Sequence, residues 1–367
     1  MKDLGAIALE LLRQHGHLEA DAEYDVVVGK LVRPLRTGEN RWQKEAGFYT
    51  TNYSNDPLGT DQYVFLEGDP GFINLTDLNR DSQTLTHIGA SFDVYGEPNL
   101  CFAVIVKHGN VCGGAYGRDP YEVITKLVEG DPRAMFGGCL MANFTIDEKC
   151  ADILRNYRNG GMKRIFAGII APEITVEACD MLRPRDNPCF FAVNPALAQL
   201  GRGSLATEPL RVWLRNGYLK QPNYTNILDL QNPGIQKTGE LTRDQEMDLL
   251  LAKSVCDTGN SNTITIAGDG KILGNAVGQQ DRVSACELAL KRAGDADSDV
   301  TGAMVASDSF FFKEDSPTVL KKAGLGGVFS TTRNSPLDDR IREYCETNGL
   351  ISWTLPDSEA RGFSFHS

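Results

Sequence analysis

Short apolar runs alternate along this chain with longer amphipathic stretches, and Gly, Pro, Asn and Asp mark the joins. Residues 3–15 predict a helix, with Leu4, Ile7, Ala8, Leu11 and Leu12 on one face. Residues 24–32 predict a strand and 63–68 a short one. Asp69-Pro70-Gly71 predicts a tight turn into a helix ending near residue 88, with loop or short strand at 90–95. Residues 101–106 are a continuous apolar run, as expected of a buried strand. After a glycine-rich turn, Asp119-Pro120 signals a helix start, Asp as N-cap and Pro at the first helical position. Further on the pattern predicts strands at 136–142, 165–171 and 190–193, with helices at 121–129, 147–158 and 175–181. Residues 202–232 are polar and read as irregular, the best place for a boundary.

The second part of the chain echoes the first. A helix over 242–256 leads to strand 262–267, the turn Gly268-Asp269-Gly270-Lys271, a return strand 272–277 and a helix over 283–293. Residues 302–306 answer 134–138, helix 316–323 answers 147–158, and strand 327–330 answers 165–170. This self-similarity predicts an internal duplication with a site between the copies. The expected class is α/β: duplicated three-layer α/β/α units, with a helix-and-strand lead-in over 1–34, a first unit over 35–205 and a second over 206–367. The C-terminal tail has the option of returning to the first unit.

Composition narrows the function. The chain has 367 residues, 41% hydrophobic and 23% charged, with net charge −12. Such an acidic balance disfavours nucleic-acid binding and leaves room only for a local basic pocket. The longest apolar run falls short of a membrane span and the N-terminus lacks a signal peptide's apolar core, so the expected setting is the cytoplasm. Nine cysteines lie scattered without a CxxC pair. That pattern argues against a zinc site and a disulfide framework, and fits small buried hydrophobes.

Candidate chemistry centres on Lys107-His108, placed where a buried strand leaves the sheet. Loops at such positions collect ligands and catalytic groups. Histidine is the side chain suited to proton transfer near neutral pH, with a lysine charge beside it; a strand-end His that only bonds backbone is the plainer alternative. Arg36 and Arg41 offer guanidinium groups to an anion, although loop arginines are more often simply solvated. Phe310-Phe311-Phe312 either walls a pocket for a flat ring or packs into the core.

Seven segments, taken in order, carry a resemblance. They are Arg36-Thr37-Gly38-Glu39-Asn40-Arg41-Trp42-Gln43, Pro70-Gly71-Phe72-Ile73-Asn74, Lys107-His108-Gly109-Asn110-Val111-Cys112-Gly113 and Gly168-Ile169-Ile170-Ala171-Pro172. Then come Ser261-Asn262-Thr263 with Gly278-Gln279-Gln280-Asp281-Arg282, Ser307-Asp308-Ser309-Phe310-Phe311, and Arg361-Gly362-Phe363. Together they resemble the transformylase part of the bifunctional purine-biosynthesis family, which formylates 5-aminoimidazole-4-carboxamide ribonucleotide (AICAR). Only some 35 residues precede the first segment, so the family's cyclohydrolase part is not expected here.

The resemblance implies a zinc-free, cytidine-deaminase-like duplicated fold and a homodimer with shared active sites. It implies formyl transfer from 10-formyltetrahydrofolate to the AICAR 5-amine within purine (IMP) biosynthesis. It implies His108 as general base aided by Lys107, and Asn262 orienting the carboxamide. On the nucleotide side it implies Arg36, Asn74, Gly137, Arg282, Arg361 and Phe363. On the folate side it implies Phe310, Asp315 and His366. A monovalent cation is a further option. The chain departs from the family pattern at Thr37, Arg41-Trp42, Val111, Ala167 and Phe312-Lys313, and the terminal His position falls on Phe365, one residue before His366. Two alternatives stay open: the same acceptor with a non-folate formyl donor, or a non-catalytic purine-nucleotide-binding relative. A zinc deaminase lacks its HxE and PCxxC pattern here.

Overall fold

A computed structural model describes residues 4–19, 22–51, 56–158, 160, 163–185 and 189–362. Twelve strands form one mixed sheet. From one edge to the other they run Gln236–Lys237, Ile351–Pro356, Gly327–Thr332, Met304–Ser307, Ile264–Gly268, Lys271–Ala276, Asn110–Gly117, Cys101–Lys107, Cys139–Ala142, Gly168–Ala171, Phe190–Val193 and Val64–Glu67. The expected α/β class with helices flanking a sheet is therefore observed.

The order is a palindrome about its centre. Each half starts at the middle with an antiparallel hairpin, adds three strands parallel to one another, and ends with a short antiparallel edge strand. The halves meet where Lys271 pairs with Ala115, antiparallel.

Side chains alternate across each strand, and that alternation builds three layers. Phe102, Val104 and Val106 pack in a cluster with Leu78, Leu85 and Phe92 of the helix Phe72–Tyr95 and with Leu250, Leu251 and Val255 of the helix Arg243–Asp257. Ala103 and Ile105 face the other way, onto Val123, Ile124 and Leu127 of Pro120–Gly130. In the second half, Ile264 and Ile266 meet Ala285 and Ala289 of Arg282–Asp295. Each fully buried Leu or Ile contributes roughly 1.5–3 kcal/mol, so these faces fix which side of each element points inward.

Several boundaries differ from the sequence pattern. The helix starting at Phe72 runs through the expected loop to Tyr95, because Ala90, Ser91 and Phe92 are buried and the first residue to take a left-handed exit is Gly96, at φ 90°. Gly89 does not break it; Leu200 and Phe102 pack where a side chain would stand. Of the strand expected at 24–32, Lys30–Pro34 is the strand, paired with Gly47–Thr50 in a separate hairpin. Residues 24–29 are held instead through Asp25, whose carboxylate accepts from Tyr218 and pairs with Arg211 and Lys220. The Tyr218 hydrogen bond is the largest of the influences that lower its pKa to about 2. Residues 202–232 are not irregular throughout, since Leu210–Leu214 and Gly217–Gln221 pair as a hairpin. The strand at 136–142 shortens to Cys139–Ala142, as Gly137 turns at φ 75°. The pattern also left out Pro336–Thr347, Ile351–Pro356 and the short helix Asp357–Ala360.

Candidate active site

Lys107 pairs with Asn110, so His108-Gly109 is a two-residue hairpin turn. Both turn residues have positive φ, 55° and 71°. That is the mirror-image turn a twisted hairpin favours, and at positive φ histidine is one of the few non-glycine residues enriched, with asparagine and aspartate. A buried carboxylate holds it: Asp77 Oδ1 accepts the Gly109 N–H at 2.7 Å. Burial raises the Asp77 pKa above the ordinary carboxylate range, while the backbone N–H groups of Gly109 and His108 oppose that rise. Lys107 Nζ donates to the Phe136 carbonyl at 2.6 Å, next to Gly137. The exposed His108 and its neighbour Lys107 line a cavity of about 350 Å³, with Asn110, Asn275, Val277 and Arg292 among its other walls.

The rest of the rim follows from the antiparallel join. It sets the His108 end of the first hairpin beside the Ala276 end of the second. Asn275 stitches the two, its Nδ2 donating to the Val111 carbonyl at 2.8 Å and its Oδ1 accepting from Thr265 Oγ1 at 2.8 Å. Ile264 pairs with both Ala276 and Ser307, so residues just before 264 and just after 307 share that rim.

There Asn262 exchanges backbone hydrogen bonds with Gln279, both at 3.1 Å, and its Nδ2 donates to the Gln279 carbonyl at 2.8 Å. Its Oδ1 accepts from Arg282 Nη2 at 2.6 Å. Arg282 Nη1 reaches Ser307 Oγ at 3.0 Å and pairs with the fully buried Asp308. A guanidinium forked between an amide and a carboxylate fixes the orientation of the Asn262 side-chain amide. Phe310 is buried, with the Arg333 guanidinium 3.9 Å from its ring centroid and the exposed Phe312 ring edge-on at 4.6 Å. Arg361 is half-buried and bonds Asp357 at 2.9 Å, and Asp357 also accepts from Thr331.

The sequence-derived residues thus divide. Lys107, His108 and Gly137 come together, with Asn74 one helical turn before Asp77; its side chain caps the helix by accepting from Gly71 N at 2.9 Å. Asn262, Arg282, Phe310 and Arg361 lie along the rim. Asp315 is exposed at the start of Asp315–Lys322 and accepts from Ser316 N. Arg36 is not brought in: it is exposed on the loop of the Lys30–Pro34 hairpin, and no hydrogen bond or ion pair among the described residues ties it to the turn. The arginine of that hairpin that reaches the body is Arg33, over the Phe65 ring and 3.8 Å from Asp69. Phe363 and His366 fall outside the described residues. Sequence reasoning missed Asp77, Asn275, Arg292 and Arg333. Only Asp77 carried a signal, three residues after Asn74 on a helix entering beneath the turn.

Fold and rim describe a duplicated α/β/α protein with a candidate site, a cavity lined by polar and cationic side chains. The chain belongs to the AICARFT/IMPCHase bienzyme family, whose model matches residues 5–292. It is 31% identical over 323 residues to the bifunctional purine biosynthesis protein PurH of Bacteroides thetaiotaomicron, covering 88% of this chain and 57% of the relative. It is 29% identical over 333 residues to the protein of the same name from Bacillus mycoides, covering 90% and 59%. The chain therefore spans less than three fifths of the length of these curated relatives.

Proposed function

We propose that this protein transfers a formyl group from 10-formyltetrahydrofolate to the 5-amine of AICAR, a step of purine biosynthesis. The observation that carries this reading is the Lys107-His108 turn opening on a cavity, on the same rim as the Asn262–Arg282 network. The amine is a weak nucleophile, its lone pair delocalised into imidazole and carboxamide. It needs a base and close alignment with the formyl carbon. His108 takes the amine proton as the C–N bond forms. The tetrahedral oxyanion collapses, the bond to the folate nitrogen breaks, and that nitrogen collects a proton. Lys107, which donates to the Phe136 carbonyl, stabilises the oxyanion or donates that proton in this reading.

Asn262 orients the carboxamide, and Arg282, Arg361 and Phe363 face the ribonucleotide with Arg36, Asn74 and Gly137. Phe310, Asp315 and His366 serve the folate. A second copy of the chain completes the site and supplies the route by which Arg36 reaches substrate; a monovalent cation is an optional addition. Purified protein with AICAR and 10-formyltetrahydrofolate should form tetrahydrofolate, followed by absorbance. Absence of turnover with clear AICAR binding would transfer the proposal to another formyl donor, and absence of binding would remove it.

A further inference from the structure

A lysine lies in the core, outside the lining of the cavity. Lys253, on the last turns of Arg243–Asp257, is 2% exposed and sits 5.5 Å from the Phe329 ring centroid. Taking an ammonium out of water costs several kcal/mol unless it is paired and hydrogen-bonded. Its partners are two: Asp257, one turn on and itself buried, and the Ala360 carbonyl at 2.7 Å. Asp257 also accepts from Tyr224 OH at 3.1 Å.

The choice of partners is informative. Asp257 ends the helix that leads within five residues to Asn262. Ala360 ends the helix Asp357–Ala360, and the next residue is Arg361. One ammonium therefore joins the two segments that deliver Asn262 and Arg361 to the rim. A hydrophobic residue of similar length would fill the same space but would release the Ala360 carbonyl.

We propose that Lys253 is a positioning residue: it fixes Arg361 relative to Asn262 by tying Ala360 to the end of the helix that precedes Asn262. The link to substrate rests on the proposed function, in which Arg361 faces the nucleotide.

The variant K253M alone removes the ammonium beside the buried Asp257 carboxylate and risks misfolding. K253M/D257N removes both charges and keeps the volume. The double variant is expected to stay folded. The amides of 361 and 362 should exchange about tenfold faster or more, in keeping with a local opening. Its KM for AICAR should rise about tenfold with kcat little changed, as expected when binding rather than the chemical step is lost. Adding R361A to it should then cost less than R361A costs the parent, because the two changes act through one contact. Unchanged exchange at 361–362 in the folded double variant overturns the proposal, as does an additive R361A effect. If R361A in the parent leaves AICAR binding intact, the role given to Arg361 fails, while the exchange result still decides the tether.

Discussion

The two hairpin turns at the centre of the sheet are built alike and used differently. In the first, His108 and Gly109 have φ of 55° and 71°; in the second, Asp269 and Gly270 have 52° and 73°. Each turn is held by an aspartate in the sixth position of its helix. Asp77 accepts from Gly109 N at 2.7 Å, and Asp248 from Gly270 N at 2.9 Å. The surroundings then diverge. The first turn carries a lysine and a histidine onto a cavity. The second lies at the opposite rim, beside a cavity of similar volume lined by Asp248, Asp269, Lys271 and Glu129, and carries no histidine; there Tyr116 donates to Asp248 at 3.0 Å and Lys271 is bound to Glu129 at 2.8 Å. Duplication supplied the same backbone device twice. The proposed chemistry belongs to the copy whose turn carries the histidine.

Breaking the comparison is simplest at the turn residues. H108A should lower kcat by about a hundredfold or more, while D269A stays within about twofold, measured side by side. An equal loss in both would remove the distinction between the turns. The latches should separate next. D77A orphans the half-buried Gly109 N–H and D248A the buried Gly270 N–H, and each should cost roughly 1–3 kcal/mol in denaturant melts. Only D77A should also lower turnover per folded molecule, by about tenfold, since it frees the backbone under His108.

The titration of the second latch sharpens the contrast further. Burial raises the Asp248 pKa from 3.8 to about 6, against opposing hydrogen bonds from Gly270 and Tyr116. A carboxylate with a raised folded pKa lends stability below about pH 4, which is lost as pH rises through about 6. D248N keeps the acceptor but not the titration. Its stability relative to the parent should therefore improve as pH goes from about 4 to about 6. A flat difference across that window would mean Asp248 is ionised throughout. The smallest effect concerns the glycines. At φ 71° and 73°, G109A and G270A should each cost about 1 kcal/mol. G270A should cost more, because its Cβ would meet the Tyr116 carbonyl at 3.0 Å and Lys126 Nζ at 2.8 Å, whereas Gly109 has open space.

Much of this was legible in the sequence, for identifiable reasons. The apolar run at 101–106 gave a central strand because that strand is buried on both faces. The echo between halves gave the repeated topology, since both copies kept the order of their elements. Asp119-Pro120 marked a helix start because Asp119 does accept from Tyr121 N. What stayed hidden depends on distant partners. Asp77 matters through Gly109, which is 32 residues away in sequence. The helix to Tyr95 looked broken at Gly89 because the chain that packs there, at Leu200, is remote. The hairpin Leu210–Leu214 with Gly217–Gln221 escaped notice although Asn216-Gly217 is a recognised hairpin signal with Val212, Trp213, Leu214, Tyr218 and Leu219 around it, because the stretch 202–232 as a whole reads as polar. Arg36 shows the limit in the other direction. Its motif was readable, but a motif does not say which surface its loop will meet.

The palindromic strand order has a meaning for how such a molecule survives in a crowded solution. A lone half would end, at its inner side, on a hairpin strand with a bare row of backbone donors and acceptors, beside an apolar helix flank. Edges of that kind recruit other chains. Meeting its own copy closes the gap, with Lys271 against Ala115 and the helix clusters of both halves merged into one. The two outer edges end on short strands, Val64–Glu67 and the two-residue Gln236–Lys237, the latter with a lysine over Trp353. The duplication therefore acts as a built-in guard against aggregation, and severing the halves would forfeit solubility before it touched any reactive group.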